Sequence, residues 1–138
     1  MPPNRGGGWR MPVFFVCAGL LGLLAVALTI KVGLMRGAKK INLGDGDDPE
    51  LRAAVRAHGN LMEFAPLTLL IIYMASDFHG FRVTAALSVA LLLSRVLHAG
   101  GMLGMIPKGR FVGTIGTCLT LATASIMLAI DGLGLKQY

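Results

Sequence analysis

MPVFFVCAGLLGLLAVALTI, residues 11–30, contains no charged side chain. At 1.5 Å per residue, ~20 apolar residues in a helix cross a ~30 Å hydrocarbon core once. Arg5 and Arg10 precede the run, as basic residues precede the core of a signal peptide. The run is about twice the usual length of such a core and reaches Lys31 with no small-residue cleavage site, so it reads as a retained helix. Residues 1–10 read as irregular, and either Met1 or Met11 could be the start.

Outward from this helix the chain alternates polar and apolar. The loop KKINLGDGDDPE, residues 39–50, ends in a helix-start signal: Asp48 as N-cap, Pro49 in the first helical position, then Glu50. Further apolar runs place spans at about 11–35, 52–76, 82–106 and 111–131, joined by tight connections at 77–82 and 107–110. The expected fold is a single all-α domain, an integral membrane four-helix bundle.

Composition agrees. Of 138 residues 54% are hydrophobic and 14% charged, with mean hydropathy +0.69, where a soluble domain carries about 25% charged residues. That excludes a disordered chain and leaves nothing from which to build a separate soluble catalytic domain. Net charge +6 and pI 9.9 would suggest nucleic acid in a soluble protein, but no basic-aromatic module accompanies the charge, so no nucleic-acid partner is expected. Cys17 and Cys118 lie in apolar runs and read as small buried hydrophobes, and the three histidines show no ligand spacing with them. No metal is expected.

Charge also predicts orientation. Lys31, Arg36, Lys39, Lys40, Arg52 and Arg56 lie in or beside the first loop, Lys108 and Arg110 in the third, and only Arg82, against Asp77, in the second. The positive-inside rule puts the first and third loops in the cytoplasm and both termini outside; Arg5 and Arg10 argue the other way.

The informative residues are the ionisable ones that should not be in a bilayer: Glu63 in the second span, Arg95 and His98 in the third. Such groups usually face a protein interior or a watery cavity. On a helical wheel Arg52, Glu63, Arg56 and Asn60 fall at about −40°, −20°, 0° and +40°, one polar stripe, with His58 pointing away. Arg95, His98 and Met102 share a face of the third span. Glu63 and Arg95 come out roughly 10 and 12 Å from the cytoplasmic edge, Asn60 and His98 about 6 and 7.5 Å. This predicts a Glu63–Arg95 ion pair with Asn60 near His98. Such a pair could simply hold two helices together, or line a proton or ion pathway. Yet Arg36, Arg52, Arg56 and Arg110 surround one acid, and the surplus suits an anion, either a lipid head group or a small polyanionic metabolite. Pro66 should kink the second span beside this site, and Gly100, Gly101 and Gly104 permit close approach of a neighbouring helix, in this chain or across a subunit boundary.

The string RAHGNLMEFAP, residues 56–66, has the form Arg-x-x-x-Asn-x-x-Glu-x-x-Pro. With Arg95-Val-Leu-His98, a short loop and Arg110, it resembles the MAPEG family of membrane-associated proteins in eicosanoid and glutathione metabolism, most closely its small bacterial inner-membrane members. The resemblance covers essentially the whole chain. It implies a homotrimer with glutathione bound between adjacent subunits near the cytoplasmic side. It assigns Arg56, Asn60 and Glu63 to the tripeptide, Arg36 as a helix-one arginine reaching the same site, Arg95 and His98 as a helix-three pair, and Arg110 as the group that stabilises the glutathione thiolate. The chemistry agrees: two carboxylates and one ammonium call for several arginines, Arg36, Arg52 or Arg56, and one acid, Glu63. A guanidinium beside sulfur raises the thiolate fraction. The implied activity is a glutathione transferase or peroxidase acting on a lipophilic electrophile or hydroperoxide that arrives through the lipid. Three departures stand against full activity: Gly59 where several eukaryotic members have arginine, and Met102 and Thr114 where some have tyrosines that contact glutathione. The alternative is a non-catalytic membrane protein of the same fold that binds an anion or lipid head group.

Overall fold

The computed structural model describes residues 11–134; Arg5, Arg10 and the candidate start Met1 lie outside the described residues. Four helices follow one another: α1 (Pro12–Lys39), α2 (Pro49–Ala75), α3 (Phe81–Met102) and α4 (Gly109–Gly132). The fold is an all-α bundle, with no strand among the described residues. α1, α3 and α4 are each long and apolar enough to cross a membrane. α2 is as long, at 27 residues, but carries the polar stripe.

α1 starts with Pro12 in its first turn and buries Phe14, Cys17, Leu21 and Leu28, one narrow helical stripe. Its other apolar residues, among them Leu23, Val26, Ile30 and Leu34, are exposed and suit the hydrocarbon of a bilayer. The helix closes with Lys40 in the left-handed region (φ 56°) and the Ile41 N–H donating to the Arg36 carbonyl at 3.0 Å.

The start of α2 follows the sequence signal. Asp48 accepts from the Leu51 N–H at 2.8 Å, with Pro49 in the first helical turn. α2 then runs through Pro66 to Ala75 as one helix. It buries Ala57, Leu61, Ala65, Thr68 and Ile72, a stripe whose centre lies nearly opposite Glu63 on the helical wheel.

α3 and α4 form the tightest pair. α3 ends at Met102, about a turn before the apolar run ends. Gly104 adopts φ +74°, and the Met105 N–H donates back to the Gly100 carbonyl at 2.8 Å, a glycine-terminated helix end. A β-carbon on Gly101 would collide with the backbone nitrogen of Arg110, and one on Gly113 with the backbone of Ser94 and His98. The neighbour that Gly101 admits is therefore α4 of the same chain. Gly104 has nothing within 4 Å and serves the turn instead. α1 packs on α2 and α3, α4 on α3 and α2, and α1 barely touches α4.

Candidate functional site

The chain order places the C-terminal ends of α1 and α3 and the N-terminal ends of α2 and α4 at one end of the bundle. Two clusters form there.

The first surrounds the loop after α1. Arg52 donates from Nε to Asp45 at 2.5 Å and from Nη2 to Asp47 at 3.1 Å. Lys39 reaches Asp48 at 2.5 Å and Glu50 at 3.1 Å. Arg36 donates from Nη2 to the Gly44 carbonyl at 3.1 Å. The hydrogen bond from Arg52 holds the Asp45 carboxyl below the usual carboxylate range, and the one from Lys39 does the same for Asp48. These acids remain charged at neutral pH and neutralise two of the cations around the site.

The second cluster lies at the α2–α3–α4 junction. Arg95, buried at 2% exposure, donates from Nη1 to Asn60 Oδ1 at 2.6 Å and from Nη2 to the Gly113 carbonyl at 3.3 Å. Its Cζ stands 5.8 Å from the centre of the Phe64 ring. His98 is buried on the next turn of α3, within electrostatic reach of both Arg95 and Arg110. Arg110 opens α4 and is exposed. No side chain caps that helix N-terminus and no acid occupies its first turn, so the exposed end of the dipole favours an anion.

Two expectations need correction. Within the chain Glu63 does not pair with Arg95: the ion pairs among the described residues are Lys39–Asp48, Lys39–Glu50, Arg52–Asp45, Arg52–Asp47 and His79–Asp131. Nor does Asn60 bond His98; it bonds Arg95. The depths matched, but the faces do not. α2 packs through the stripe opposite Glu63, so Glu63 points outward while Asn60, on the flank of that stripe, meets α3. The positive surplus is also smaller, because Arg52 is spent on Asp45 and Asp47. Arg36, Arg56 and Arg110 are left without ion pairs among the described residues.

His58 does point away, its Nε2 3.0 Å from Thr29 of α1. Cys17 is buried as expected, whereas Cys118 is exposed on α4. Thr114 turns its hydroxyl back to the Arg110 carbonyl at 2.8 Å. The sequence reading missed Asp45 and Asp47 as partners of Arg52, the Gly113 carbonyl and the Phe64 ring. A count of loop acids against nearby cations could have signalled the first; the other two depend on helix rotation. An open cleft beside Arg36 is lined by Gly33, Gly37, Lys40, Ile41 and Asn42, at the same end of the bundle. A cleft lined by Ser76, Asp77 and His79 lies at the opposite end, away from every residue of the two clusters.

Comparison with known proteins agrees with the motif. Among relatives, the inner membrane protein YecN of Escherichia coli K12 and that of Escherichia coli O6:H1 are each 29% identical over 85 residues. The match covers 61% of this chain and 65% of theirs, so the chain spans just under two thirds of those relatives. The pattern of the MAPEG family, by contrast, runs through residues 14–130 and takes in all four helices. The chain belongs to the MAPEG family.

Proposed function

We propose that this protein binds glutathione and uses it as a transferase or peroxidase on lipophilic electrophiles or hydroperoxides. The observation that carries the reading is a set of groups without ion pairs on α2 and at the start of α4. Arg56 and Glu63 are exposed on one face of α2, Asn60 beside them is partly exposed, and Arg110 is exposed at the start of α4, none in an ion pair among the described residues. Two guanidiniums and one carboxylate complement a tripeptide with two carboxylates and one ammonium. In this reading Glu63 takes the ammonium and Arg56 a carboxylate. Arg110, with the α4 dipole, stabilises the thiolate and so raises the nucleophile concentration at neutral pH. Arg36 lines the same site, with His98 buried behind it, and Arg52 joins it only by releasing Asp45 and Asp47.

α1 carries Arg36 and α4 carries Arg110, and the two helices barely meet within one chain. A site that uses both is completed between copies, which favours a homotrimer with glutathione at the subunit boundary. The basic loops favour the cytoplasmic side for that site, with both termini periplasmic, by the positive-inside rule. The YecN relatives favour the bacterial inner membrane, where the second substrate arrives from the lipid. Thr114, whose hydroxyl is occupied by its own helix, favours a second reading in which the fold binds an anion or lipid head group without turnover.

Ultraviolet difference spectra of the purified protein with glutathione test the choice. The expected result is thiolate absorbance near neutral pH that disappears in Arg110→Ala. Absence of the thiolate signal together with absence of glutathione-dependent thermal stabilisation would refute the transferase reading.

A further inference from the structure

Arg95 is enclosed by groups of its own chain. At 2% exposure it presents no open edge to a ligand. Its guanidinium lies among α2 and α4 groups: Asn60 Oδ1 at 2.6 Å, the Asn60 carbonyl at 3.4 Å, the Gly113 carbonyl at 3.3 Å and the Phe64 ring. Its Nε is buried with no hydrogen-bond partner. No carboxylate among the described residues lies within ion-pair range of it.

A guanidinium only donates hydrogen bonds, so the Asn60 atom that faces it is the oxygen. The Asn60 NH2 is thereby turned away from Arg95, and it has no hydrogen-bond partner among the described residues. Arg56 stands one helical turn before Asn60, and Glu63 three residues after it, as neighbours on the α2 surface. Left alone, a primary amide can offer either end to a ligand. Held by a charge-assisted bond at its oxygen, it offers donors only.

We propose that Arg95 is a positioning residue that never touches the ligand: it locks Asn60 so that the amide presents N–H donors, beside Arg56, to a carboxylate or peptide carbonyl of bound glutathione. This rests on the glutathione reading. It also predicts an asymmetry at position 60. In Asn60→Asp a carboxylate meets Arg95, which supplies the missing counter-charge but removes the donors and repels an anionic ligand.

The test is a set of glutathione dissociation constants for the full chain in detergent, with melting temperatures. Arg95→Met weakens binding about tenfold, and Arg95→Lys, which retains one donor, restores part of the loss. In an Asn60→Ala background, Arg95→Lys changes binding by less than about twofold. Losses that add in the double variant mean direct contact and overturn the proposal. Should Arg95→Met fail to fold, Asn60→Asp carries the test. A melting temperature at or above that of the unmutated protein, with binding weakened at least about tenfold, supports the lock; retained binding or a lowered melting temperature overturns it. Unmutated protein that binds no glutathione overturns the functional reading instead. The melting shifts of Asn60→Asp and Arg95→Lys then decide the lock alone, coupled shifts supporting it and additive shifts refuting it.

Discussion

Gly113→Ala probes the seam on which the second cluster depends. A β-carbon there meets the Ser94 carbonyl oxygen, the His98 nitrogen and the His98 β-carbon. Backbone atoms cannot swing aside like the end of a long side chain, so α4 must move off α3. Overpacking of this kind costs ~1–3 kcal/mol. The movement also lengthens the Arg95–Gly113 bond, already 3.3 Å; a bond from a charged donor is worth ~1.5–3 kcal/mol. Against these stands ~1 kcal/mol of helix propensity gained by replacing glycine with alanine. The net loss is roughly 1.5–5 kcal/mol. Thermal unfolding followed by circular dichroism in detergent measures it, with Gly19→Ala as control. Gly19 has nothing within 4 Å of its would-be β-carbon, so its variant melts at or above the unmutated temperature. A Gly113→Ala protein that melts with the control would refute the claim that backbone contact sets the α3–α4 spacing.

Replacing Arg56 by Gln should weaken glutathione binding about tenfold or more, the loss of one charge-assisted contact, whereas Arg52→Gln should change it by less than about threefold, since Asp45 and Asp47 already hold Arg52; calorimetric titration of both variants decides. Asp45 has a carboxyl held below its ordinary value of ~3.9 in the folded state, so folding favours its charged form. The stabilisation is complete above about pH 4 and fades as pH falls through the lowered folded value. The melting-temperature difference between the unmutated protein and Asp45→Asn should accordingly stay constant from neutral pH down to about 4 and shrink below it; a difference that shrinks on raising the pH contradicts this. Gly104→Ala forces an alanine into φ +74° with open space around it, and should cost about 1–2 kcal/mol from backbone strain alone, seen as a lowered melting temperature without loss of the thiolate signal.

Local chemistry was legible in the sequence and helix rotation was not. Asp48-Pro49 announces the start of α2 because a capping carboxylate and a fixed φ act within a few residues. Met102 was harder to read as the end of α3, since hydropathy continues through Leu103, Met105 and Ile106 while the backbone reverses at Gly104. Depth along the helices put Arg95 level with Glu63 and Asn60 level with His98, but the packed stripe of α2 decides that Asn60, and not Glu63, faces Arg95. Gly101 announced that something approaches closely; that the neighbour is the backbone of Arg110 follows from the short connection to α4. The spending of Arg52 on Asp45 and Asp47 depends on how the loop folds back, and a charge count treats those residues as independent.

Glycine occupies the inward side of α4 at positions 109, 113 and 116, each against α3 or the connection before it, while Phe111, Ile115 and Leu119 point outward. The two sides of this helix are therefore under different rules of variation. At 109 and 113, where a β-carbon would meet the α3 backbone, no larger residue fits without displacing the helix that carries Arg110. On the outer side apolar residues can change in size while the arginine keeps its place. Selection for a new hydrophobic partner can reshape the outer face one residue at a time without disturbing the position of Arg110.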